Sequence, residues 1–283
     1  MRLSTTSAVT DRGRVAHAKS RSRLAALLIA ELICALLLIG RSDVAATRMV
    51  AAPATSPESV TTRATVSEVQ TLVDGRTVRS IALGGLRSQR LLDRVAAEMN
   101  GAAAAVTAFW GPQWPRQVVI VAAGTDAQFA AVGGGDAHTA ATTTAERIMF
   151  APGAADISDD ALRIVLRHEL FHYAARAATA RDAPRWLTEG VADFVARPDT
   201  PPPAAPAATL PTDADLSGPD RSLAYDRVWS FSRFVADRHG SAKLRELYAR
   251  ACGPGHPDVA TAVHDTLGVG LAEVLTQWRR WAS

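Results

Sequence analysis

The chain has 283 residues, 48% of them apolar, enough for a substantial hydrophobic core in one or two domains. Its 31 Lys and Arg against 28 Asp and Glu give a formal charge of +3, but the excess sits at the front: residues 1–46 hold seven basic and three acidic residues, and 31 less seven leaves 24 basic against 28 less three, 25 acidic, in the remainder. The main body is near neutral, so the positive balance reflects topology and no nucleic-acid partner is expected; with Cys34 in the apolar leader, Cys252 stands alone, which excludes a disulfide framework and a cysteine-ligated zinc site.

Residues 1–23 form a basic region, with Arg2, Arg12, Arg14, Lys19, Arg21 and Arg23 ahead of the apolar run LAALLIAELICALLLIG at 24–40. That order is the pattern of an exported chain whose N-terminus stays in the cytoplasm. Seventeen residues fall between a long signal-peptide core and a short membrane span. Glu31 disfavours a permanent anchor, since a carboxylate at the bilayer centre costs roughly 2.5–3.5 kcal/mol. The long basic region favours an anchor, and V-A-A at 44–46 suits cleavage, so both a single-pass anchor and a secreted form stay open. Either places the body outside the cytoplasm. Residues 41–60, small, polar and proline-punctuated, read as a linker, and 61–283 as one domain.

Within that domain a strand is expected at 62–69. Apolar residues at Leu86, Leu91, Leu92, Val95, Ala96, Met99 and Ala103 keep a 3.6 period and predict one helix over 85–110, of about five turns. The run QVVIVAAG at 117–124 predicts a buried strand, 126–135 a short helix ended by glycines, and 146–154 (ERIMFAPGA) a strand leading to a turn. Ser158 is a good N-cap, with Asp159 and Asp160 in the first turn and Ile157 placed to staple on Leu162. A helix therefore begins near Asp159, its core stripe formed by Leu162, Val165, Leu166, Leu170 and Phe171. A second helix runs from about Pro184 to about Arg197. Residues 198–220, rich in Pro and Ala, read as a surface excursion without chemistry. From Ser222 onward the chain reads as helical, with Gly240, Gly253 and Gly268 marking ends or turns.

The helix from Asp159 carries HELFH. Residues four apart on a helix differ by about 40° in direction, so His168 and His172 project from one face and can share one tetrahedral metal. Glu169, one step round, can reach water on that metal. The same pattern also arises on helices that hold no metal, with His168 paired to a carboxylate and His172 half-exposed. A metal site therefore demands a third protein ligand, and PRWLTEGVADF at 184–194 offers one: Glu189, on a separate helix that can return to the same metal. Two His and one Glu around Zn2+ would leave a fourth position for water.

HELFH followed by PRWLTEGVADF resembles the gluzincin branch of zinc metallopeptidases, particularly the bacterial peptidase MA-like domains, whose glutamate ligand lies in a P-x-W-L-x-E-G-x-A segment. The likeness is specific over 164–194 and looser over the aromatic helix LAYDRVWSFSRFVADRHG. It implies an α+β, zincin-like fold with a small N-terminal mixed sheet, an active-site helix and a mostly helical C-terminal part. It further implies Zn2+ held by His168, His172 and Glu189, with Glu169 as general base. Asp193, four after Glu189, matches the E-x-x-x-D arrangement of thermolysin-like enzymes, where it accepts the second ring N–H of His168. In similar folds the strand before the zinc helix is an edge strand that pairs with extended substrate, so a cleft is expected between 146–154 and that helix.

The chemistry so implied is hydrolysis of a peptide or protein substrate. Tyr225 is the candidate oxyanion donor, with a core tyrosine as the alternative reading; His239, His256 and His264 are weaker candidates, and Arg167 and Arg185 flank the motifs as helix-solvating charges. No G-A-M-E-N-type segment precedes the zinc helix, which favours an endopeptidase over an aminopeptidase. The rival readings are a catalytically inactive zincin-fold domain that binds a peptide or partner outside the cytoplasm, and a helical membrane-tethered adaptor that holds no zinc.

Overall fold

The computed structural model describes residues 65–133, 139–199 and 209–283. The basic region, the segment at 24–40, the linker and part of the Pro/Ala-rich excursion lie outside the described residues. Among the described residues no helix is long and apolar enough to cross a membrane.

The fold is α+β. Two strands, β1 (Thr65–Thr71) and β2 (Thr77–Ala82), precede helix α1 (Gly85–Trp110). Then come β3 (Gln117–Ala122), α2 (Asp126–Gly133), β4 (Ala141–Thr143) and β5 (Ile148–Phe150). A 3-10 turn at Pro152–Asp156 leads into α3 (Asp159–Ala175), followed by α4 (Arg185–Ala196). Four helices end the chain: α5 (Arg221–His239), α6 (Ser241–Cys252), α7 (Val259–Leu267) and α8 (Leu271–Ala282). Gly240 and Gly268 carry positive φ at the ends of α5 and α7, the conformation that glycine adopts without strain.

The five strands form one mixed sheet in the order β1-β2-β3-β5-β4, with β2, β3 and β5 parallel and the outer strands antiparallel to their neighbours. Alternation along β3 and β5 assigns the two faces. Val118, Ile120, Ala122, Ile148 and Phe150 enter the main core beneath α1 and α3, while Val121 and Met149 turn to the opposite face and pack on Phe129 of α2.

Helix α1 keeps the expected bounds, and its 26 residues make about seven turns. Its last turns are held because Phe109 and Trp110 stack edge-on against Phe171 of α3, with Trp110 also meeting Tyr248 of α6. Two strands, β2 and β4, are not anticipated by the sequence. The strand expected at 146–154 shrinks to Ile148–Phe150 and lies inside the sheet, between β3 and β4. The outer strand on this side is therefore β4, and it is β4 that lies against α3.

Candidate metal centre

Helix α3 starts as its sequence dictates: Ser158 Oγ accepts the Ala161 N–H at 3.2 Å, and Asp159 and Asp160 occupy the positive end of the helix dipole. The stripe of Leu162, Val165, Leu166 and Leu170 is buried in the core, which fixes the rotation of the helix. His168 and His172 then fall on one face, their Nε2 atoms 3.0 Å apart.

Helix α4 supplies the next groups. Pro184 caps it, its carbonyl accepting from the N–H groups of Leu187 and Thr188. At Gly190 a Cβ would lie 2.6 Å from the Val228 carbonyl of α5, so only glycine allows this approach of the two helices. Immediately before it, Glu189 places Oε2 3.2 Å from His168 Nε2 and 3.6 Å from His172 Nε2. One ligand atom from each of these three residues falls within 4.8 Å of the other two, and all three residues are buried. Asp193 Oδ1 stands 2.8 Å from His168 Nδ1, and its Oδ2 accepts from Arg197 Nη2 at 2.6 Å. Arg197 is itself held by Asp226 at 2.8 Å and lies over the ring of Trp229.

The donor set fits Zn2+ on a test internal to the site. With the His168 Nδ1–H directed to Asp193, its Nε2 turns toward the Nε2 of His172 and the carboxylate of Glu189. Both Glu189 oxygens are buried without a well-formed hydrogen bond among the described residues, their cationic neighbours being His168 Nε2 at 3.2 Å and Arg185 Nε at 3.9 Å. Ligand atoms gathered this closely call for a cation among them, a proton on His168 when no metal is bound, and two imidazole nitrogens with one carboxylate oxygen suit zinc. The titration behaviour agrees. Burial works to lower the His168 pKa, but the hydrogen bond to Asp193 and the Glu189 carboxylate outweigh it and raise it to about 10. Burial works to raise that of Glu189, but the two imidazoles override it and hold it well below the usual carboxylate range.

Glu169 is buried beside this cluster and is not one of the three converging groups. Thr143 of β4 donates its hydroxyl to Glu169 Oε2 at 2.6 Å and also lies 3.0 Å from the Glu169 carbonyl. Tyr225, on α5, is buried against Leu216, Val228 and Trp186. It also contacts Arg185, whose pKa burial works to lower but the neighbouring Tyr225 and Glu189 raise. Arg185 Nε lies 3.9 Å from Glu189 Oε1, so Arg185 links Tyr225 to the cluster.

His239 and His256 are half-buried, against Phe234 and near Asp182, and His264 is exposed; none joins the cluster. Arg167 faces Glu98 of α1. The excursion at 198–220 is less idle than expected, since Ser217 Oγ accepts from Arg185 Nη1 at 2.6 Å and Leu216 packs on Tyr225. Sequence reasoning missed Thr143, which has no signature in the run A-T-T-T. It also missed Arg197, whose i,i+4 relation to Asp193 was a readable signal.

No protein-family model matches the sequence, and no curated protein is similar to it. Among solved structures, the chain is similar to the M1 zinc metallopeptidase from Deinococcus radiodurans, at 18% identity and a TM-score of 0.48, covering 78% of this chain and 52% of that one. A mutant of that protein bound to a Tyr-Ser-Ala substrate gives 18% identity and a TM-score of 0.47, with the same coverage. The chain thus spans about half the length of these structures.

Proposed function

We propose that the chain is a zinc-dependent peptidase of gluzincin type, acting on internal peptide bonds outside the cytoplasm, either secreted or tethered through residues 24–40. The observation that carries this reading is the convergence of His168, His172 and the otherwise unsatisfied Glu189 carboxylate in one buried pocket, with a second carboxylate, Glu169, beside it. Zinc held by His168, His172 and Glu189 supplies, when bound, a Lewis acid and an acidified water.

The remaining work falls to the chain. Glu169, steadied by the Thr143 hydroxyl, takes the proton of the attacking water and delivers it to the departing amine nitrogen. Asp193 holds His168 in the tautomer that presents Nε2, and Arg197 donates to the other oxygen of Asp193. Tyr225 donates to the carbonyl oxygen as it gains negative charge. The absence of a G-A-M-E-N-type segment supports endopeptidase over aminopeptidase action.

The test is Glu169→Gln in the full-length chain. The variant is expected to keep its zinc and to lose cleavage of a peptide library. If wild type holds zinc and cuts nothing, the domain is a binding module; if Glu169→Gln cuts as fast as wild type, Glu169 is not the base.

A further inference from the structure

The stripe of α3 that bears His168 and His172 continues past the metal centre. Four residues on, about 6 Å further along the axis, stands Arg176 at the helix C-cap. Arg176 and His172, with Thr143, Thr179, Arg181 and Tyr248, enclose a cleft of about 220 Å³ that opens beside β4. This is where the cleft expected at 146–154 is found, displaced to the true outer strand.

The far wall of the cleft is held rigidly. Thr179 Oγ1 donates to the Ala175 carbonyl at 2.9 Å and lies 2.8 Å from the hydroxyl of buried Tyr248. Ala180 N–H donates to the Cys252 carbonyl at 2.7 Å, which pins the loop to α6. Arg181, the next residue, is exposed and lines the same space.

Among the described residues neither arginine forms an ion pair. Near the site Arg197, by contrast, pairs with Asp193 and Asp226. Among the described residues no carboxylate pairs with Arg176 or Arg181, and none lines the cleft. The helix C-terminus accounts for a cation at Arg176; it does not account for Arg181, on the loop beyond. Two arginines lining one small cleft bring the positive charge and forked donors that suit a carboxylate.

We infer that this cleft is a substrate subsite for a carboxylate, so that the enzyme selects peptides presenting an acidic group next to the bond it cuts. This rests on the peptidase reading. The carboxylate can come from an Asp or Glu side chain or from a free C-terminus, and both bring the same chemistry to Arg176 and Arg181.

The test uses the full-length chain loaded with zinc and three peptide sets: Glu peptides with amidated C-termini, matched Gln peptides with amidated C-termini, and Gln peptides with free C-termini. Wild type is expected to favour one carboxylate-bearing set over the amidated Gln set by a factor on the order of 10–100 in kcat/KM. Which set is favoured identifies the source. In Arg176→Gln/Arg181→Gln that ratio is expected to fall to within about twofold, and Arg181→Glu is expected to shift preference toward Lys-containing peptides. Arg181 is exposed, so its variants fold whatever Arg176→Gln does. Cleavage without acidic preference, or a preference kept by the double variant, overturns the subsite and leaves the peptidase standing. If wild type cuts no peptide, the peptidase reading fails and binding decides the subsite. Fluorescence anisotropy with the labelled acidic peptides on Glu169→Gln protein then shows about tenfold weaker binding after Arg176→Gln/Arg181→Gln, or an unchanged affinity that overturns it.

Discussion

Removing the Asp193 side chain probes the site one step behind the metal. In wild type this buried carboxylate divides its oxygens, Oδ1 toward His168 Nδ1 at 2.8 Å and Oδ2 toward Arg197 at 2.6 Å. Asp193→Ala frees the His168 ring to turn and to exchange tautomers, a loss that lowers zinc affinity about 10- to 100-fold, or roughly 1.4–2.7 kcal/mol. It also leaves Arg197 buried with Asp226 as its one remaining carboxylate, and breaking a buried pair costs about 3–5 kcal/mol; Asp226 keeps the loss near the lower end. Asp193→Asn retains an acceptor for His168 and should lose the least affinity. Competition with a chromophoric chelator measures the affinity, and circular dichroism at the same temperature confirms that the folded form is being titrated. If Asp193→Ala holds zinc within about twofold of wild type, Asp193 does not orient His168.

Tyr225→Phe is expected to lower kcat by about 10²–10³-fold with KM little changed and zinc retained, as steady-state kinetics will show; an unchanged kcat makes Tyr225 a packing residue only. In the metal-free protein the His168 pKa is raised to about 10, so near pH 7 the ring carries a proton that zinc must displace. Calorimetry in buffers of different ionisation enthalpy should therefore find about one proton released per zinc, with affinity rising with pH until about 10. Gly190→Ala drives a methyl against the Val228 carbonyl and should destabilise the fold by roughly 1–3 kcal/mol in a denaturant titration, whether or not zinc is present.

The half of the site on α3 and α4 was legible because it is local. Ser158, the stripe from Leu162 and the i,i+4 pairs His168/His172 and Glu189/Asp193 follow helical periodicity within each helix, which short windows of sequence report faithfully. Sheet order was not legible. Ala141–Thr143 and Ile148–Phe150 are three residues each, too short to show a period of two, and only the pairing of β5 with β3 reveals that β5 is interior. Thr143 of β4 meets α3 only through that long-range topology, and Tyr248 reaches the same cleft from α6, neither of which a short window of sequence reports.

X-ray absorption at the zinc edge of the full-length protein tests the central claim most directly. The account predicts one zinc per chain, with two imidazole nitrogens at about 2.0–2.1 Å, a carboxylate oxygen in the same shell and no sulfur scattering. A protein that holds no stoichiometric zinc, or one whose zinc has sulfur neighbours near 2.3 Å, contradicts it.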